Sequence, residues 1–106
     1  MKTLTRFENL DSHEFEQRLN VNPHAVLLDV RTAEEFRSER IPKAMNIDIM
    51  ENAFAGKIVE LDKTKVYFVY CRSGGRSAHA CNFMASEGFK VFNLAGGISN
   101  WRGKIE

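Results

Sequence analysis

Three short apolar runs do most to limit what this chain can become: Ala25-Val26-Leu27-Leu28-Asp29-Val30, Val66-Tyr67-Phe68-Val69-Tyr70 and Val91-Phe92-Asn93-Leu94. A strand with one face in water alternates apolar and polar residues. These runs do not alternate, so they read as strands covered on both faces. Helix signals lie between them. Asp11 with Glu14, and Thr32 with Glu35, are capping-box patterns that open short helices through Phe15 and Leu19 and through Phe36. Ile41-Pro42 ends the second, because the residue before proline avoids the α region. Residues 44–47 read as a short strand, and 49–61 as a stretch that can hold a helix although Gly56 interrupts it. From Ser77 to Glu87 a helix is expected, with Ala80, Cys81 and Met84 on one apolar face and Gly88 just past its end. Gly96-Gly97 and a short helix around Trp101 close the chain. Strands alternating with helices predict one α/β domain over residues 1–106, with a mostly parallel sheet flanked by helices on both faces.

Ligands of such sheets bind beyond the carboxyl ends of the strands. Cys71 stands at one of those ends and is followed by Arg72-Ser73-Gly74-Gly75-Arg76-Ser77. Each part of that sequel favours a thiolate. Glycines let consecutive backbone N–H groups turn inward as an anion-binding concavity. The helix start just beyond adds partial positive charge, and Arg72 and Arg76 add full charges. The thiol is therefore expected to titrate below its free value of about 8.5. Nucleophilic sulfur chemistry at Cys71 is the reading these residues support.

The bulk numbers remove other classes. With 43% hydrophobic and 27% charged residues, the 106-residue chain is neither disordered nor of low complexity. A net charge of +1 gives no global attraction to nucleic acid or to an anionic membrane. Two cysteines ten residues apart make no disulfide framework. The start, Met1 to Glu8, has no apolar leader pattern, and no run is long enough to span a bilayer. A soluble, cytoplasmic protein is expected.

Three blocks carry a resemblance to a known family. They are Leu28-Asp29-Val30-Arg31-Thr32-Ala33-Glu34-Glu35-Phe36 continuing to Ile41-Pro42-Lys43-Ala44-Met45-Asn46-Ile47, then Tyr70 to Ala78 around Cys71, then Leu94-Ala95-Gly96-Gly97-Ile98-Ser99-Asn100-Trp101. In order and spacing the chain resembles the rhodanese family of sulfurtransferases, of the single-domain kind. The resemblance implies a five-stranded parallel sheet flanked by helices and a persulfide on Cys71 whose outer sulfur passes to an acceptor. The implied donor is a small anion such as thiosulfate, polysulfide or a persulfide, and the implied acceptor is a thiol, a protein sulfur acceptor or cyanide. No cofactor, metal, nucleic acid or membrane partner is expected. One departure stands out: Glu39-Arg40 precede Ile41-Pro42 where the family often has Gly-His, which bears on local structure rather than on the catalytic assignment.

Two rival functions fit parts of this pattern. Cysteine phosphatases and arsenate reductases of related fold carry the loop arginine six residues after the cysteine, whereas Arg76 is the fifth residue after Cys71. The shorter loop suits one sulfur atom better than a tetrahedral phosphate, and it contains no carboxylic acid to protonate a leaving alkoxide. A non-catalytic or sulfur-carrying binding domain is the other rival, and the intact Cys71, glycines and arginines favour an enzyme. Among the remaining residues, Cys81 reads as core packing. Ser73 and Ser77 read as turn and N-cap hydroxyls, and at least one of Arg72 and Arg76 as an anion contact. Asp29 and Arg31 read first as a structural ion pair supporting the site. His79 is expected on the exposed side of its helix, and Trp101 as a core anchor.

Overall fold

The computed structural model describes residues 7–106, so the reading of the start of the chain falls largely outside the described residues. Strands β1 (Glu8–Leu10), β2 (Ala25–Asp29), β3 (Met45–Asn46), β4 (Val66–Tyr70) and β5 (Lys90–Leu94) alternate with helices α1 (Ser12–Val21), α2 (Ala33–Ser38), α3 (Phe54–Val59) and α4 (Gly75–Ser86). A 3-10 turn, Ile98–Asn100, follows β5. The five strands form one sheet in the order β1-β5-β4-β2-β3, and every pairing is parallel. This is the α/β architecture expected. Among the described residues no helix is long and apolar enough to cross a membrane.

Central β4 explains why its run does not alternate. Tyr67 and Val69 pack on one face with Leu28, Ile58, Ala80, Cys81 and Met84, and Cys71 just past the strand joins them. Phe68 and Tyr70 pack on the other with Phe15, Leu27, Phe92 and Leu94. Both faces are core, so every position from Tyr67 to Tyr70 is buried, and complete burial of one such side chain contributes about 1.5–3 kcal/mol. Phe15 meets Phe68 edge-on, with ring centroids 5.3 Å apart, a favoured aromatic geometry.

Several boundaries shift for physical reasons. The strand β1 has no apolar run to announce it: Glu8 and Asn9 are exposed, only Leu10 is buried, and backbone pairing to β5 makes the strand. Asp11 caps α1 by accepting from Glu14 N at 2.9 Å, but the Glu14 carboxylate goes to Arg18 Nε at 2.7 Å, so the box is half-formed. At Thr32 the capping box is complete. The helix α3 forms across Gly56 because Phe54 and Ile58, one turn apart, are buried. Gly88 (φ 94°) ends α4, with Phe89 N donating to Met84 O and Gly88 N to Ala85 O as in a Schellman motif. At the departure noted above, Arg40 and Glu106 exchange two backbone hydrogen bonds, fastening the end of the chain beside α2.

The carboxyl edge of the sheet is tied by one buried ion pair. Arg31 Nη2 lies 2.6 Å from Asp29 Oδ2, Nε lies 3.0 Å from each carboxylate oxygen, and Nη2 also donates to Glu39 O at 2.7 Å. Asn46 Nδ2 donates to the carbonyls of both Asp29 and Arg31, and the Tyr70 hydroxyl accepts from Ile41 N at 3.1 Å. Strands β2, β3 and β4 thus end in one network, which is the structural role read first from the sequence. Replacing Arg31 by Met leaves Asp29 charged and buried, so urea unfolding of Arg31→Met should show a loss of about 3–5 kcal/mol. A loss within about 0.5 kcal/mol, the ordinary range for a surface change, would remove the pair from its place in the fold.

Candidate active site

β4 ends at Tyr70, and Cys71 is the next residue, buried to 1% exposure. The chain then turns sharply into α4. Gly74 takes φ 105°, a left-handed value that residues with a Cβ rarely adopt, and occupies the N-cap position. Gly75 opens the helix, so α4 begins two residues before the Ser77 start expected from sequence. The early start matters because the first-turn N–H groups have no helical partner and remain available to an anion. Gly74 N donates to Cys71 Sγ at 3.0 Å, and the Ser77 hydroxyl lies 3.3 Å from the same sulfur. Ser77 is therefore not an N-cap. It is fully buried in the first turn with its hydroxyl against the thiol.

These donors decide the charge of the sulfur. Burial pushes the Cys71 thiol up, but the Ser77 hydroxyl and the backbone N–H groups of Ser77, Gly74 and Ser73 outweigh it and hold the thiol below its ordinary value. Cys81 lies in the same core with no such donors. Burial, with the nearby Cys71 charge, pushes it up to about 12. The two thiols are thus separated chemically: one favoured as thiolate, one inert as a packed apolar group.

Sequence alone leaves open whether Arg72 or Arg76 contacts a donor and whether Arg76 instead holds the loop in shape. Both turn to one carboxylate, Glu35 of α2. Arg76 makes a bidentate pair, Nη1 to Oε1 at 2.8 Å and Nη2 to Oε2 at 3.0 Å. Arg72 adds Nε and Nη2 to Oε2 at 3.1 and 2.9 Å. Arg76 above all holds the Glu35 carboxyl far below the usual carboxylate range. The direct donors to the sulfur are thus backbone and hydroxyl groups, with the guanidinium groups at the rim. Glu35 showed in the sequence only as the third residue of a capping box, a signal that masks a second role.

Two further supports come from the last part of the chain. Ile98 N donates to Cys71 O at 2.9 Å and Ser99 N to Arg72 O at 3.1 Å, so the turn after β5 carries the start of the loop. Gly97 makes that approach possible: a Cβ there would meet the carbonyl carbon and oxygen of Arg72 and the oxygen of Cys71. Behind the loop, Asn93 of β5 donates to Asn9 Oδ1 at 2.9 Å and lies 3.4 Å from Gly74 O. A polar residue inside an apolar run was its only sequence signal.

Other expected residues lie apart from the sulfur. Asp29 and Arg31 pair with each other at the sheet edge, His79 is exposed on α4, and Trp101 packs edge-on against Phe15 with centroids 6.0 Å apart. Among the described residues no cluster of three His, Cys, Asp or Glu side chains could hold a metal. A groove of about 770 Å³ lined by Leu19, Asn20, Leu27, Ile41, Lys43 and Trp101 lies on the α1 side and includes none of residues 71–77. The donors around Cys71, not that groove, mark the candidate site.

Known proteins resemble this chain in sequence and fold. Residues 11–104 match the family model described as a rhodanese-like domain. A sulfurtransferase from Allochromatium vinosum is 34% identical over 93 residues, covering 87% of this chain and 85% of that one. The thiosulfate sulfurtransferase GlpE of Pseudomonas savastanoi is 35% identical over 79 residues, covering 74% and 73%. The crystal structure of a rhodanese-related protein from Thermoplasma volcanium superposes with a TM-score of 0.80 at 27% identity, covering 93% and 97%.

The electrostatics predict a pH profile. The thiolate is the reactive form, so a lowered pKa means that alkylation of Cys71 by iodoacetamide reaches its plateau at a pH below that of a free thiol, whose midpoint is about 8.5. Ser77→Ala removes one donor and should move the midpoint upward while leaving the fold intact. A wild-type midpoint at or above about 8.5, or no movement in Ser77→Ala, would contradict the assignment of these donors.

Proposed function

We propose that this chain, which belongs to the rhodanese-like domain family, moves a sulfane sulfur from an anionic donor through a persulfide on Cys71 to a thiol or cyanide acceptor. The observation that carries the reading is the Cys71 sulfur seated at the carboxyl end of β4, 3.0 Å from Gly74 N and 3.3 Å from the Ser77 hydroxyl. In the first half-reaction the thiolate attacks the outer sulfur of a donor such as thiosulfate, polysulfide or a persulfide. A new S–S bond forms on Cys71, the donor's S–S bond breaks, and sulfite or a thiolate leaves with the electron pair. The outer sulfur then carries the negative charge, and the N–H groups of residues 72–77 surround its place. In the second half-reaction the acceptor attacks that sulfur and Cys71 leaves as thiolate. Two covalent half-reactions give ping-pong kinetics. Arg72, Ser73, Gly74, Gly75, Arg76 and Ser77 form the anion-binding loop, while Asp29 and Arg31 support it through the sheet edge.

Phosphate-ester cleavage fits less well. The loop from Cys71 to Arg76 has no acid of its own. Glu35, the carboxylate that touches it, is held ionised by Arg76 and has no proton to give a leaving alkoxide. Sulfite and thiolates leave as stable anions and need none.

Intact mass spectrometry tests the reading. Incubation with thiosulfate should yield a species heavier by one sulfur atom, and cyanide or a thiol should remove it. Cys71→Ser should abolish both the adduct and thiosulfate:cyanide transfer, since an alcohol neither ionises near neutrality nor forms a persulfide. Cys81→Ala should keep most of the activity and lose only some stability. An adduct that survives in Cys71→Ser, or a dead Cys81→Ala, would overturn the assignment. So would Cys71-dependent hydrolysis of para-nitrophenyl phosphate without sulfur uptake.

A further inference from the structure

We propose that Glu35 sets the donor charge this site accepts: by neutralising the Arg72–Arg76 pair it makes the loop favour monoanionic sulfane-sulfur donors, such as persulfides and thiosulfonates, over dianionic thiosulfate. The inference rests on the sulfur-transfer reading and goes beyond it to the substrate class.

A planar guanidinium fork is the group an oxyanion would take in two parallel hydrogen bonds. Two forks stand at this mouth, and Glu35 already occupies both. Its Oε1 accepts from Arg76 Nη1 at 2.8 Å and from Thr32 N and Oγ1 at 3.1 and 3.2 Å. Its Oε2 accepts from Arg76 Nη2 at 3.0 Å and from Arg72 Nη2 and Nε at 2.9 and 3.1 Å. With the Glu35 side chain only 17% exposed, the carboxylate is no loose surface partner. It is rooted in α2 and shared with that helix's cap, so it cannot swing away without undoing the cap. Two guanidinium charges therefore face one carboxylate and, in the reactive state, the Cys71 thiolate. The sum at the mouth is zero, and Asp48, whose charge also bears on Arg76, tips it further toward negative. A second negative charge on the donor gains nothing from this field. Arg72, with its side chain 60% exposed, is the partner most easily borrowed by a donor, and a surface ion pair of that exposure is weak. One borrowed guanidinium matches one charge.

The test compares two donors that offer the same outer sulfur. Thiosulfate carries two charges and releases sulfite. Methanethiosulfonate carries one and releases methanesulfinate when the thiolate takes the outer sulfur and the S–S bond breaks. The donor kcat/KM in a ping-pong scheme reports this half-reaction alone. The wild-type protein should prefer methanethiosulfonate. Its thiosulfate kcat/KM should change less than about threefold between about 0.01 M and about 1 M ionic strength, where the screening length falls from about 30 Å to about 3 Å. Glu35→Gln keeps an oxygen for the Thr32 cap and removes the charge. It should raise the thiosulfate-to-methanethiosulfonate ratio by about tenfold, the scale of one charge-assisted hydrogen bond, and make the thiosulfate rate fall steeply with salt. If Glu35 only held the loop in shape, both donors would weaken together and the ratio would stay, which overturns the proposal. A wild-type preference for thiosulfate, or a steep wild-type salt dependence, overturns it without need of any variant. Uptake from neither donor defeats the sulfur-transfer reading itself. Uptake from both with an unmoved ratio defeats only the role of Glu35.

Discussion

An anionic sulfur buried at the end of a central strand needs hydrogen-bond donors already aimed at it, since an unpaired buried charge costs several kcal/mol or else neutralises. In this chain those donors are backbone N–H groups and the Ser77 hydroxyl, brought to the sulfur by starting α4 early, at Gly75 directly after a left-handed Gly74. Most of the surrounding architecture serves that turn. Parallel β4 delivers Cys71 to the carboxyl edge with core on both faces. The helix that follows must leave from the same edge, which brings its unpaired N-terminal donors to the thiol.

The turn is held from three sides by segments distant in sequence. From β5 and the turn after it come the backbone bonds of Ile98 and Ser99, possible because Gly97 has no Cβ. From α2 comes Glu35, gripping Arg72 and Arg76. From the sheet edge comes the Asp29–Arg31 pair, which fixes the segment leading into α2. Of the three sequence blocks that carry the family resemblance, the first supplies both Glu35 and the Asp29–Arg31 pair, the last supplies the turn after β5, and the middle one is the held turn itself.

Much of this was legible in the sequence. The apolar runs of β2, β4 and β5 show that both faces of the sheet are covered, and the glycine-rich sequel of Cys71 shows where the anion cradle lies. What stayed hidden did so for identifiable reasons. The strand β1 has a single buried side chain and exists through backbone pairing, which leaves no pattern to read. Ser77 looks like a helix cap because N-cap positions favour serine, whereas the cap here is Gly74, whose role depends on a backbone angle. Glu35 satisfied a local rule completely, so its long-range partners, 37 and 41 residues away, had no separate mark. At least one loop arginine is expected from the sequence to contact an anion, but sequence adjacency does not say which way a long side chain turns.

The central claim is that the backbone donors between Cys71 and Ser77 hold the transferred sulfur. A crystal structure of the protein after brief exposure to thiosulfate tests it directly. The account predicts one additional sulfur bonded to Cys71 Sγ, lying inside the turn within hydrogen-bond distance of several N–H groups of residues 72–77, with Cys81 unchanged. Additional sulfur on Cys81, or a Cys71 adduct turned out of the cradle toward solvent, would contradict it.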